Sequence, residues 1–390
     1  MHCALTDRQI ALRKEIRSYY DRLLTPDLKE LLRVHAATPT YKEVIRQMGK
    51  DGWLAVGWPE QYGGRGYGPV EQLIFVQETL RAGAPLPFVT LSTVGPTLMT
   101  YGSEAHKRFF LPKIAAGEMH FAIGYTEPGS GTDLASLKTT AVRRGDEFIV
   151  NGNKLFTSHA EGADYIWLAV RTDPDVAKHR GISILMVDTR APGFSLTPID
   201  TVAGMHTNVT YYNDVRVPAD MLVGELNQGW RLITSQLNHE RIGIAARGIF
   251  GEDMYERVLA WARQPGPDGT RPIDRPLARR LMADAYARLE SLRWLNYRLA
   301  ASLQGAQPGP AFPSAAKVQG VETLIKVYRD LQQVVGLGGL ITHGSPAQVL
   351  AGDLELNYRK CQLNTYGGGS GEVMREMVAH FGLGMPRTSR

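Results

Sequence analysis

FAIGYTEPGSGTDLASLKTTAVRRGDEFIVNGNKLFTS, residues 121–158, decides how the rest of the chain is read. An apolar, strand-like run opens it and gives way to a loop at 126–133 rich in Gly, Thr and Ser. Two strand patterns follow, broken by Arg144-Gly145-Asp146 and by Asn151-Gly152. An Asn-Gly pair between alternating apolar residues predicts a tight hairpin turn, because both residues tolerate positive φ. The 126–133 loop offers backbone N–H groups and the short hydroxyls of Thr126, Ser130 and Thr132, with little bulk to block a ligand. Such a surface suits a polar planar ring or a phosphate chain, and it equally suits a plain turn between strands.

Outward from this stretch the periodicity changes twice. From Asp7 to about Ala116 the pattern is helical: Ile10, Ile16, Tyr19, Leu23 and Leu24 recur at spacings near three and four, with Thr6 or Asp7 as a cap. Helical patterns also cover 41–48, 70–81, 89–99 and 103–115, around a turn-rich loop at 58–68. From 121 to about 223 the period is two, with short β-branched runs at 165–170 and 181–187, which predicts an antiparallel β region. After Gly224 the helical period returns, with helices expected at 228–262, 275–303, 314–336 and 345–382. The expected fold class is α+β, divided as an N-terminal helical domain (1–120), a middle β domain (121–227) and a C-terminal helical bundle (228–390).

Composition narrows the function classes. At 390 residues the chain exceeds what a single core usually serves. The formal net charge is +5, but the basic residues are scattered, so nucleic acid is not the expected partner. Cys3 and Cys361 are the only cysteines and have no metal-ligand spacing, so no metal site is expected. No apolar run reaches the ~18 residues of a membrane span. The first twenty residues carry charges throughout, and a cytoplasmic protein is expected.

One helix holds a chemical anomaly. Ile233, Leu237 and Ile244 define an apolar face, and Glu240 falls on it, followed by Arg241. Desolvation raises a carboxylate's pKa toward the range a general base needs, although a structural Glu–Arg pair fits the same pattern.

YTEPGSGTD at 125–133, followed by NGNKLFTS at 151–158, resembles the flavin-binding middle domain of the acyl-CoA dehydrogenase family. The helical–β–helical order extends that resemblance over nearly the whole chain. It implies FAD as cofactor, a C-terminal four-helix bundle and oxidation of an acyl-CoA to the trans-2-enoyl-CoA. Electrons would then pass to an electron-transfer flavoprotein. By the same resemblance Thr126 faces the pyrimidine edge of the ring, Thr132 the pyrophosphate and Ser158 flavin N5. Phe156 stands where relatives often carry Trp. Tyr125, Gly131, Thr157, Ser370 and Glu372 complete the cofactor set, and Asn238 matches a pantetheine contact.

The match also departs from the family pattern. The usual base lies in a C-terminal Y-E-G-T motif; aligned on 366–375 (YGGGSGEVMR), Gly368 occupies its place. A minority of the family puts the Glu on an earlier helix just before an Arg, and LNHER at 237–241 resembles that variant. The resemblance therefore assigns the base to Glu240, beside Arg241; it makes Gly367 and Gly368 part of the substrate pocket wall, and a plain turn beside the cofactor fits the same glycines. Gln333 and Gly336 partly match a segment that holds the adenosine end of a neighbouring subunit's FAD. Neither the Arg nor the Phe expected around 266–273 (GPDGTRPI) falls in register. This pattern resembles bacterial acyl-CoA dehydrogenases acting on steroid side-chain thioesters, α2β2 assemblies that complete the site with a homologous partner subunit. A flavin oxidase or monooxygenase, and a non-catalytic scaffold subunit, are the competing readings.

Overall fold

The computed structural model describes residues 4–34, 38–239, 247–304 and 309–386; the side chains of 34 and 237–239 also lie outside the description. Among the described residues, six α-helices open the chain: α1 (Asp7–Leu23), α2 (Pro26–Val34), α3 (Pro39–Lys50), α4 (Pro69–Ala82), α5 (Gly95–Tyr101) and α6 (Glu104–Ala115). Their starts follow local chemistry. Thr6 and Gln9 form a reciprocal capping box on α1, Thr38 caps α3 ahead of Pro39, and Ser103 with His106 caps α6. Leu12, Ile16, Tyr19 and Tyr20 of α1 are buried against Leu73, Ile74 and Phe75 of α4, as helical spacing demands. The π-helical turn Thr90–Val94 precedes α5.

Eight strands follow: β1 (Phe121–Gly124), β2 (Thr140–Arg144), β3 (Glu147–Lys154), β4 (Tyr165–Arg171), β5 (Ile182–Asp188), β6 (Phe194–Asp200), β7 (His206–Pro218) and β8 (Leu222–Val223). The path runs β6-β7-β3-β2-β4-β5-β8 and is mainly antiparallel, with β1 added parallel to β4. β4 and β5 are apolar at successive positions because both of their faces are covered. Trp167, Ala169, Ile184 and Met186 enter the core shared with the N-terminal helices. Ile166, Leu168, Val170, Leu185 and Val187 enter a separate β core. Alternation of Cβ direction therefore sends one strand into two cores and locks the sheet to the helices.

The Asn151-Gly152 expectation is corrected. The tight turn is Gly145-Asp146, between Arg144 and Glu147, with Gly145 at φ +61. Asn151-Gly152 instead forms a bulge inside β3, where the register against β7 shifts between Val150 and Gly152. Gly152 is required there because a Cβ would lie 2.7 Å from the Thr139 hydroxyl oxygen. Local turn propensity lost to continued pairing with β7.

The C-terminal region comprises α7 (Gly229–His239), α8 (Gly248–Ala262), α9 (Pro276–Ser302), α10 (Ala311–Val335), α11 (Asp353–Gln362) and α12 (Gly371–Met377). Met254, Val258, Leu281, Leu289, Val327 and Leu331 supply its core. The helix expected over 345–382 is broken, because Gly352, Gly368 and Gly369 all have positive φ and turn the chain. Arg33 of α2 and Arg257 of α8 both pair with Asp353, which ties the first and last helical regions together.

Candidate functional site

The 126–133 loop and the end of β3 are held by a buried ion pair. Lys154 Nζ, fully buried, donates to Glu127 Oε1 at 2.8 Å and to the Tyr125 carbonyl at 3.1 Å. The Glu127 carboxylate also accepts the backbone N–H groups of Lys138 (2.6 Å) and Thr139 (2.8 Å). Burial pushes the Lys154 amine down to about 8, against the pull of Glu127. Burial alone would raise Glu127, yet the attraction of Lys154 and these hydrogen bonds leave its carboxyl below the usual range. Sequence reasoning missed this pair. The signal was the E of YTEPGSGTD and the K of NGNKLFTS, charges set among small, glycine- and hydroxyl-bearing residues.

The loop is therefore a shaped rim. Glu127 and Ser130 exchange backbone hydrogen bonds at 3.1 Å each, closing a tight turn, and the Thr126 carbonyl accepts Leu155 N–H at 2.7 Å. Gly131 and Thr132 are exposed on its outer side, and a Cβ on Gly129 would meet no atom within 4 Å. The Tyr125 hydroxyl donates to Gln236 of α7 and accepts from Trp167 Nε1 at 3.1 Å. This fixes the loop against the C-terminal region. Ser130 Oγ and Gln236 Nε2 are buried without a hydrogen-bond partner among the described residues.

The second segment carries strain. Phe156 and His159 are non-glycine residues at φ +61 and +66, a conformation that costs about 1–3 kcal/mol each. They bracket Thr157, buried and bonded to Asn208 and Thr210, and Ser158, whose hydroxyl meets Thr207 Oγ1 at 3.0 Å. Phe156 itself is 57% exposed. A presented aromatic ring, open glycines and buried unpartnered donors fit a flavin, a flat ring edged with hydrogen-bonding atoms.

A cavity of about 510 Å³ adjoins this hairpin through Ser158 and Phe121. Its walls come from all three regions, including Leu80 and Phe88, Phe250 of α8, Leu324 of α10 and Cys361 of α11. Arg247 also lines it and donates to Asn364 Oδ1. His120 lies on the same wall, and burial pushes its imidazole down to about 4, assisted by Lys42 and Arg46.

Other sequence-assigned residues lie elsewhere. Glu240, Arg241 and the side chain of Asn238 fall outside the described residues. Gly367 and Gly368 form an exposed turn between α11 and α12, with Gly368 at φ +71. Ser370 caps α12 by accepting Val373 N–H at 3.4 Å, and Glu372 is exposed in its first turn. Gln333 and Gly336 sit exposed at the end of α10, where Gly336 has φ +76. No cluster of His, Cys, Asp or Glu able to hold a metal occurs among the described residues.

Three family models account for almost the whole chain: the N-terminal domain of acyl-CoA dehydrogenase over 6–118, the middle domain over 122–215 and the C-terminal domain over 227–383. The chain belongs to the acyl-CoA dehydrogenase family, flavin-dependent oxidoreductases acting on acyl-CoA thioesters. Among its relatives, acyl-CoA dehydrogenase FadE29 of Mycobacterium tuberculosis is 51% identical over 391 residues, covering 100% of both chains. FadE26 of the same organism is 48% identical over 402 residues, again covering 100% of both. Among solved structures, a chain of the Tcur3481-Tcur3483 steroid ACAD superposes with a TM-score of 0.96 at 49% identity, covering 100% of each. A chain of the ChsE4-ChsE5 complex from Mycobacterium tuberculosis gives 0.94 at 48%, with the same coverage.

Proposed function

We propose that this chain is the base-carrying subunit of a heteromeric, FAD-dependent acyl-CoA dehydrogenase whose substrate is a bulky thioester of the steroid side-chain type. The relatives described as a steroid ACAD and as a two-protein complex support both the substrate class and the assembly. When bound, FAD supplies the ring that accepts a hydride from Cβ. Tyr125, Thr126, Gly131 and Thr132 form the rim on one side of it, and Phe156, Thr157 and Ser158 the wall on the other. A Glu240 carboxylate oxygen takes the proton from Cα, with Arg241 beside it. Ser370 and Glu372 belong to the cofactor end of α12, Asn238 serves the pantetheine arm, and Gly367 and Gly368 flank the acyl group.

The observation that carries this reading is the backbone at Gly368. Position 368 carries no side chain and turns the chain at φ +71, which supports a proton acceptor supplied by another element. Glu240 is the carboxylate that the sequence offers on the helix used by the minority of the family.

The heteromer follows from the adenosine end. Arg271, the Arg within 266–273, is held by Asp274 through hydrogen bonds of 2.8 and 3.0 Å, and the loop closes on itself through Gly266 and Thr270. Gln333 and Gly336 remain exposed beside Leu337, which is 82% exposed, as a surface offered to a homologous partner in an α2β2 assembly. The working division is 1–120, 121–227 and 228–390, and an electron-transfer flavoprotein is the proposed acceptor. A cytoplasmic location accords with the finding that no described helix is long and apolar enough to cross a membrane.

Glu240→Gln in the assembled holoprotein tests the base. Substrate-driven bleaching of the flavin should slow by about 10²–10⁴-fold; unchanged bleaching would place the base elsewhere. The chain purified alone should hold flavin substoichiometrically, and a stable homotetramer with one FAD per chain would refute the heteromer.

A further inference from the structure

The 510 Å³ cavity has mainly apolar walls, among them Val76, Leu80, Leu86, Phe88 and Leu324, yet Lys42 and Lys360 also line it. No Asp or Glu does so among the described residues. Lys360 stands at a junction, because it also lines an adjoining, more polar cavity of about 290 Å³. Neither ammonium makes a hydrogen bond or an ion pair within 4 Å among the described residues. Asp353, the carboxylate whose attraction reaches Lys360, is already engaged by Arg33 and, at 2.7 Å, by Arg257. Glu161, on the wall of the smaller cavity, accepts the side-chain amide of Asn208.

Around these lysines the field is basic. Burial lowers the Lys360 pKa, and Arg33 and Arg359 push it the same way against the attraction of Asp353. Lys42 and Arg46 act in the same sense on His120. Lys360 is partly desolvated and has no acceptor among the described residues, an unfavourable state for a cation unless a ligand oxygen completes it. The mechanism proposed above has no step that uses either lysine.

We infer that Lys42 and Lys360 recognise an acceptor oxygen, a carbonyl or a carboxylate, borne by the acyl group away from its thioester. The cavity thereby selects oxygenated over purely hydrocarbon acyl groups. This rests on the acyl-CoA dehydrogenase reading of the site. Apolar walls take the hydrocarbon body but discriminate weakly between analogues. A cationic donor that would be left unpaired rejects the analogue lacking its acceptor far more strongly.

The test uses the assembled, flavin-loaded holoprotein and three ring-bearing acyl-CoA esters of one carbon skeleton, carrying a ketone, a carboxylate or neither, with CoA alone as a fourth ligand. Calorimetric affinities and kcat/KM are both recorded. An oxygenated ester should bind about 10- to 100-fold more tightly than the hydrocarbon ester, the range expected for a hydrogen bond to a charged donor. Lys42→Met or Lys360→Met should collapse that ratio. Lys360→Gln, which keeps a neutral donor, should retain a preference for the ketone and lose one for the carboxylate, so it identifies the source of the oxygen. The absence of any preference in the parent protein overturns the proposal, as does an unchanged preference in both Met variants. An equal loss of affinity for CoA alone also overturns it, since the lysines would then serve the CoA phosphates. Retained binding preference without turnover counts against the dehydrogenase reading and leaves this recognition standing.

Discussion

Lys154→Met should be the most damaging single change in the middle domain that touches no ligand. The Lys154 side chain is 0% exposed and that of Glu127 7%, so neither charge has water to fall back on. Removing the amine leaves a carboxylate with two backbone donors and no counter-ion, and breaking a buried pair in this way costs about 3–5 kcal/mol. Glu127→Gln is expected to cost less, because the Lys154 amine, already lowered to about 8, can shed its proton near neutral pH for about 1–2 kcal/mol. The double variant should then be more stable than Lys154→Met alone, since it leaves no buried charge. The signs with pH follow from the shifts. The unfolded state binds the Lys154 proton up to about 10.5 and the folded state only up to about 8, so this group's contribution makes stability rise between those values. Glu127 is lowered on folding, so its contribution is present above the ordinary carboxylate value and is lost as pH falls through the folded one. Unfolding curves of the holoprotein at several pH values, with flavin release as a second probe, measure all of this. A Lys154→Met protein within about 1 kcal/mol of the parent and holding its flavin normally would refute the reasoning, because a buried carboxylate cannot lose its counter-ion so cheaply.

Further outcomes follow from other residues. Ser130→Ala removes a buried hydroxyl that has no partner among the described residues, so flavin affinity should fall by about 1–3 kcal/mol while the apo-protein melts at the same or a higher temperature; flavin titration and melting curves read both. Gly369→Ala places a Cβ 2.5 Å from Met374 Cε at φ +104, and should destabilise the last two helices by about 1–3 kcal/mol in unfolding experiments. His120 is lowered to about 4, so between that value and 6.5 the unfolded state binds the extra proton and stability falls with acidification. His120→Asn should erase that acid limb, worth up to about 3 kcal/mol, in stability measured from pH 4 to 7.

The candidate site's segments could be picked out in the sequence because each is local. The glycine-rich loop, the short hydroxyls and the aromatic before Thr157-Ser158 lie close together in the chain, and the fold presents them as one rim and wall. The capping residues Thr6 and Ser103 were also readable, since a cap is decided within four residues. What misled was a local preference overruled at a distance: Asn151-Gly152 reads as a turn, but β7, some sixty residues away in sequence, holds it as a bulge. The continuous helix expected over 345–382 failed for a related reason. Apolar spacing persists through its glycines, while their positive φ redirects the backbone.

The sequence by itself determined the three-part order of helix, sheet and helix, the glycine- and hydroxyl-rich character of the 126–133 loop and the lack of a carboxylate at position 368. Periodicity and residue type carry those facts, because each depends on neighbours within a few turns or a strand pair. Only the tertiary structure decided that Glu127 and Lys154 meet in the interior and that β4 feeds two cores at once. It alone placed Lys42 and Lys360, more than three hundred residues apart in the chain, on the walls of one apolar cavity. Those outcomes depend on which buried charges find partners, and pairing across such distances is set by packing.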